Sequence, residues 1–215
     1  MTLTVEVPKA ISVPQKRTRK IPDYLVYEVI DGLPFYYKGY KNVISGKLKF
    51  EDIMGTSDVQ GFFINLIKDH LTPLLKKDYR VIAGELGVHL GIKDNLSVDI
   101  AIYLRKDFQP SQFTNTYKST PPTVAIEVDT KAALQNSEDA QIYFTNKTQK
   151  YLDFGVEQVV WVFTKTRKMW VAQNDGKPWL IMSWDDEINI LGQSFTINQL
   201  IKEDGFDPTQ LIINQ

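Results

Sequence analysis

The 215-residue chain contains no cysteine, which excludes disulfides and thiolate-bound metals. It has two histidines, His70 and His89, too few for a multi-histidine zinc site. Any metal it holds would therefore sit among oxygen atoms, which suits Mg²⁺ or Mn²⁺. No stretch approaches the roughly 20 uninterrupted apolar residues of a membrane span. The opening residues, MTLTVEVPKAISVPQ, lack the basic start and apolar core of a secretory signal. These absences fit a cytoplasmic protein with no membrane partner. An excess of one charge is missing too. The formal net charge is −1, so overall charge gives no support for nucleic acid as a partner. One dense basic run exists, Lys16-Arg17-Thr18-Arg19-Lys20. It reads first as a solvated arm and second as an arm touching phosphates.

What is present suits a globular core. At 43% hydrophobic over 215 residues, the chain can bury one core with at most an appendage. Residues 1–22 read as a flexible N-terminal arm, broken by Pro8, Pro14 and Pro22. Residues 23–215 read as a single domain. Tyr24–Ile30 is β-rich and ends at Asp31-Gly32, a strong hairpin signal, with Pro34-Phe35-Tyr36-Tyr37 returning. Residues 41–50 are polar and Gly-interrupted, a short strand or loop. Ser57-Asp58-Val59-Gln60 has the form of a capping box. Behind it Val59, Phe62, Phe63, Leu66, Ile67, Leu71 and Leu74 recur at helical spacing, so a helix is expected from about 58 to 77, with Pro73 weakening its last turn.

Short strands are expected at 79–83 and 86–90, separated around Gly84-Glu85, and at 97–104. A long polar loop closes at Pro121-Pro122, and a strand follows at 123–128. A second helix spans about 136–154 and stops at Gly155. Strands at 156–163, 168–173 and 179–184 and a weak helix at 195–201 complete a small β-rich C-terminal part. The strand–helix–strand passage from Thr123 to Phe163 implies parallel neighbours in a mixed sheet. The class is α/β (α+β): a mixed central sheet flanked by helices.

Two acids stand inside apolar strands. Asp99 lies in Val98-Asp99-Ile100-Ala101-Ile102, and Glu127 in Val124-Ala125-Ile126-Glu127-Val128. Such a carboxylate either points to solvent from a half-exposed strand or is buried and needs a cation. Two of them in strands able to pair could place several oxygens around one hard ion. On the second helix Ala140, Phe144, Lys147, Tyr151 and Phe154 share one face. Lys147 sits mid-stripe, aimed at the sheet. It either snorkels or meets a carboxylate–metal cluster. Lys150 lies off the stripe and reads as surface.

The ordered set Val98-Asp99, Ala125-Ile126-Glu127-Val128, Lys147-x3-Tyr151-x3-Gly155-Val156 and Val160-Trp161-Val162, with Tyr27-Glu28-Val29-Ile30-Asp31-Gly32 near the start, resembles the Uma-two family of restriction-type endonucleases. The likeness spans roughly residues 24–174. It implies a restriction-endonuclease-like core and a PD-(D/E)XK site. Asp99 matches the motif aspartate and Glu127 the second acid. Lys147 matches a lysine moved onto the helix from its usual place, which Asp129 occupies here. The resemblance implies catalysis by Asp99, Glu127 and Lys147, with Mg²⁺ (or Mn²⁺) on Asp99 and Glu127 and on the carbonyl after Glu127. Nucleic acid, DNA in the first place, would be the substrate, and a homodimer follows only by analogy with related nucleases.

Departures from the family pattern bring in further candidates. Val98 replaces a proline, Tyr143 stands where many members carry an acid, and Ser-Pro is missing after Glu-Val. Asp129 offers a further ligand, and Lys131 competes with Lys147 for the lysine's role. Gln60 lies where related nucleases place a polar residue near the metal, although capping explains it too. Glu85 is an outlying candidate that a Gly84-Glu85 turn explains equally well. Two other readings stand beside the nuclease. One is an inactive member acting as a nucleic-acid or protein-binding module. The other is an oligomerisation module with Trp170, Trp179 and Trp184 as its interface, although these tryptophans read more simply as core residues of the β-rich tail.

Overall fold

Apolar runs punctuated by turn residues become strands, and the two helical periods become the two long helices. A computed structural model shows this for residues 21–91 and 94–211. Residues 1–20, which hold the basic run and most of the expected arm, lie outside the described residues. The chain begins with the hairpin β1 (Val26–Ile30) and β2 (Leu33–Tyr36), then two short helices, α1 (Tyr40–Ile44) and α2 (Glu51–Met54). Next come α3 (Asp58–Leu75), β3 (Tyr79–Gly91), β4 (Asp94–Leu104), β5 (Val124–Val128), α4 (Ser137–Phe154), β6 (Gln158–Phe163), β7 (Lys168–Gln173) and β8 (Leu180–Ser183). A second hairpin, β9 (Ile188–Ile190) with β10 (Gln193–Phe195), precedes α5 (Ile197–Glu203).

The central sheet has the order β3-β4-β5-β6-β7-β8. Only β5 and β6 run parallel, joined through α4; the other neighbours are antiparallel. Strand alternation divides the core. Ile100, Ile102, Val124, Ile126 and Val160 pack towards α3 and α5. Ala101, Tyr103, Ala125, Val159 and Trp161 pack with Tyr143 and Tyr151 of α4. Full burial of each large aliphatic side chain contributes about 1.5–3 kcal/mol.

Several sequence expectations change in detail. Gly84-Glu85 is no turn between two strands. It is a bulge inside one long strand, with the register slipping between Ala83 and Leu86 and with φ of 119° and 55° at the two residues. On α3 the buried stripe runs Gln60, Phe63, Ile64, Ile67, Leu71, Leu75, and Leu74 is 48% exposed. The step of four from Leu71 stays on the buried face, whereas the step of three leaves it. Of residues 41–50, 41–44 belong to α1 and 45–50 to the turns that lead to α2. The β9–β10 hairpin was not expected. Of the tryptophans proposed as an interface, Trp184 is fully buried beside Phe63, and Trp170 packs edge-on against Phe144 and Phe163. Among the described residues no helix is long and apolar enough to cross a membrane.

Candidate active site

The site begins where the β4–β5 ladder ends. Ala101 pairs with Ala125 and Ile100 with Ile126, so one further step sets Asp99 across from Glu127. Both acids then point to the α4 side, like Ala101 and Ala125. There the strands part, and the Asp99 carboxylate takes the freed amide: Val128 N donates to Asp99 Oδ2 over 2.8 Å. Gln60 Nε2 donates to the same oxygen over 3.3 Å. Ser57 caps α3 by accepting from Gln60 N, but the Gln60 side chain does not fold back to close the capping box. It reaches the sheet instead.

Helix α4 supplies the cation. Its cap is Asn136, which accepts from Asp139 N over 2.8 Å, and Gly155 ends it at φ 109°. Tyr143, Lys147 and Tyr151, spaced by four, form the fully buried line facing the sheet. Lys147, only 1% exposed, donates from Nζ to Glu28 Oε1 over 2.9 Å and lies 3.2 Å from Glu127 Oε1. It also donates to Ser97 O over 3.2 Å. The rings of Tyr27, Tyr143, Tyr151 and Trp161 surround the ammonium with centroids 5.6–6.0 Å away, a cation–π cage. Lys147 therefore does not snorkel. Tyr151 Oη lies 2.6 Å from Glu127 Oε1 and 2.9 Å from Ser97 O, so its single proton is shared between the two acceptors.

Burial dominates the electrostatics. It pushes the Glu127 carboxyl up from 4.5 to about 8, against the opposing pull of Lys147. Burial also raises Asp99, although the Val128 amide, Lys147 and Gln60 oppose it. For Lys147 burial disfavours the charge, yet Glu127 and Glu28 outweigh that and hold the ammonium well above its ordinary pKa. Three buried carboxyl groups thus share one buried ammonium.

A family model described as "Putative restriction endonuclease" (Uma2) matches residues 54–195. The chain belongs to the Uma2 family. The fold is also similar to the crystal structure of "a putative nuclease belonging to DUF820" from Anabaena variabilis, with a TM-score of 0.58 and 12% identity over 80% of this chain and 88% of that one. No curated protein matches the chain.

Within this Uma2 chain, Asp99, Glu127 and Lys147 come together, and Gln60 joins them. Glu85 stands on the bulge near enough to Asp99 to help raise its pKa. Lys131 pairs with Glu85 and lies 3.4 Å from Met54 O, so it stands beside the bulge that carries Glu85, apart from the Lys147–Glu28 pair. Asp129 turns away. Its carboxylate accepts from the amide and the hydroxyl of Thr164, tying the end of β5 to the turn after β6. Lys150 pairs with Asp31 over 2.6 Å.

Glu28 was not singled out by sequence reasoning as a site residue. It lies on β1, upstream of the residues the family model matches, and it is buried. Its sequence signals are an acid amid the apolar residues of Tyr24–Ile30, like those that marked Asp99 and Glu127, and its place in the Tyr27–Gly32 stretch of the family resemblance. Tyr143, where an acid was expected from the family pattern, donates to Glu28 Oε2 over 2.7 Å.

Among the described residues no group of three or more acids or histidines is gathered as a metal site; Asp99 and Glu127 are the pair of acids whose oxygens could hold a divalent ion. The donors are all oxygen, the charge excess is negative, and among the described residues Glu127 Oε2 accepts no hydrogen bond.

Proposed function

We propose that this chain is a metal-dependent nuclease hydrolysing phosphodiester bonds in nucleic acid, DNA in the first place, with Asp99 and Glu127 as holders of Mg²⁺ or Mn²⁺ and Lys147 beside them. The observation that carries the reading is the convergence of two buried acids from neighbouring strands with one buried ammonium 3.2 Å from the second acid. When bound, a divalent ion supplies a Lewis acid for the scissile phosphate and lowers the pKa of water to near neutral. The protein's part is orientation and charge. The Val128 amide holds Asp99 Oδ2 and Tyr151 holds Glu127 Oε1; that leaves Glu127 Oε2 for an ion, with Asp99 Oδ1 beside it, engaged by Gln60 Nε2 at the longer distance of 3.5 Å. Lys147 places a positive charge where negative charge would grow on the phosphate oxygens. Residues 23–215 acting as one domain, a cytoplasmic setting and a homodimer belong to the same reading.

The test is cleavage of plasmid, single-stranded DNA and RNA with and without Mg²⁺. Asp99→Asn is expected to abolish both cutting and Mn²⁺ binding. Lys147→Met is expected to keep Mn²⁺ binding and slow cleavage by about 10²–10³-fold, the range for loss of one preorganised charge-stabilising group. Cleavage by Asp99→Asn at the wild-type rate would overturn the assignment. A second reading, a non-catalytic nucleic-acid-binding member, draws on the net charge of −1, because a nuclease gains from basic surroundings. It would be favoured if the chain bound oligonucleotides and cut none of them with any divalent ion.

A further inference from the structure

We propose that Glu28 is a positioning residue that holds the Lys147 ammonium on its own, so that Glu127 is free to turn to a cation. The inference rests on the nuclease reading of Asp99 and Glu127, and it adds a residue from the N-terminal hairpin to that site.

The two acids that meet Lys147 differ in how they are held. Both oxygens of Glu28 are engaged by the protein. Oε1 accepts from Lys147 Nζ over 2.9 Å and from Ser97 N over 3.3 Å, and Oε2 accepts from Tyr143 Oη over 2.7 Å. A carboxylate engaged at both oxygens has its plane fixed and little left to offer an ion. Among the described residues Glu127 is engaged only at Oε1, by Tyr151 and more distantly by Lys147. Glu28 is thus built as an anchor and Glu127 as a ligand.

The anchor is itself secured. Ser97 lies on β4 two residues before Asp99, and its carbonyl accepts from Lys147 and from Tyr151. The ammonium is therefore tied to the strand that carries the first acid. Tyr143 and Lys147 are one turn apart on α4, so Glu28 clamps two successive turns of the helix. Its own backbone is held by the hairpin, which is stitched to the segment after β5. Lys38 N donates to Lys131 O and Ala133 N to Tyr36 O, each over 2.7 Å, around the bridge between Tyr37 and Ala132. When Glu127 turns to a cation, its attraction for Lys147 is diverted. Glu28, held at both oxygens, stays bonded to the ammonium and prevents its displacement.

The test is a double-substitution cycle on the full chain, using Glu28→Gln, Lys147→Met and the pair, with Mg²⁺-dependent cleavage, Mn²⁺ calorimetry and thermal denaturation as readouts. Glu28→Gln is expected to lower kcat by about 10–100-fold, the range for loss of a residue that orients a site group. In the Lys147→Met background it should change kcat less than about twofold, because interacting residues are non-additive. A purely structural role would give the same loss in both backgrounds and overturn the proposal. Mn²⁺ affinity of Glu28→Gln should stay within about threefold of wild type, whereas a loss of about 10–100-fold would make Glu28 a metal ligand and also overturn it. Should Glu28→Gln fail to fold, Tyr143→Phe removes only the outer hydrogen bond; a kcat loss confined to the Lys147 background supports the anchor, and an equal loss in both backgrounds sinks it. If the wild-type chain cuts nothing, the nuclease reading falls separately. The thermal cycle still decides the anchor: a drop in Tm on Glu28→Gln that disappears in Lys147→Met supports it, and an unchanged drop refutes it.

Discussion

Glu127→Gln is expected to stabilise the metal-free protein at alkaline pH, in opposition to its effect on activity. The Glu127 carboxyl sits at about 8 in the folded chain against an ordinary 4.5. A carboxyl raised on folding binds its proton more tightly in the native state, so stability is full below about 4.5 and falls as pH rises towards about 8. At about 1.4 kcal/mol per pH unit, the interval of about 3.5 units bounds the loss at about 5 kcal/mol. Between pH 5 and pH 7.5 the loss is about 3 kcal/mol, or on the order of 6–12 °C in Tm for a chain of this size. Glutamine keeps the shape and the acceptor for Tyr151 Oη, and Lys147 retains Glu28, so the variant lacks this slope. The assay is thermal or urea denaturation of both proteins in chelator across pH 5–8. The stability difference between variant and wild type should widen in favour of the variant as pH rises. A constant difference, or one that shrinks, would show that Glu127 does not carry the buried proton.

Mn²⁺ added at about 100 times its Kd should stabilise the wild type by about 2.7 kcal/mol and leave Glu127→Gln nearly unmoved, as read by thermal shift at pH 7.5. Gly155→Ala should cost about 1–3 kcal/mol, because φ is 109° and an added Cβ would come within 3.3 Å of Pro121 Cγ; urea denaturation measures it.

Legibility in the sequence followed the locality of each signal. The two turn pairs show this well. Asp31-Gly32 and Leu191-Gly192 both close two-residue hairpins with positive φ at each position, the geometry of a type I′ turn. The first was readable because aspartate tolerates that backbone. The second was hidden because leucine does so rarely, and tertiary packing of Ile188 and Ile190 into the core imposes it. The bulge at Gly84-Glu85 looked like a strand break because one extra residue interrupts alternation, whether the chain turns or continues. In the site, Asp99, Glu127 and Lys147 stood out as charges at apolar positions. Their mutual approach depends on strand register, and the approach of Glu28 depends on a hairpin docking far along the chain, which its acid-among-apolar signal on β1 does not reveal. Asp129 shows the converse. It occupies a motif position by spacing, yet a positive φ of 53° swings its carboxylate to Thr164.

The charge balance separates this site from a structural ion pair. A lone buried pair is often no more stable than a hydrophobic replacement, and it demands nothing further. Here three buried carboxyl groups, Glu28, Asp99 and Glu127, face a single buried ammonium. Glu28 matches that ammonium. The remaining two acids have amide and hydroxyl donors and only a share of the same ammonium, and burial raises both against its pull. Packing alone gives no reason to keep them, since glutamine and asparagine would accept the same hydrogen bonds without the desolvation cost of a charge. On the nuclease reading, positive charge arriving from outside the chain would add to the pull of Lys147 and favour their ionised forms. On the proposed nuclease reading, a divalent ion would relieve this resting state, and the chain would exchange stability for a function that needs the ion.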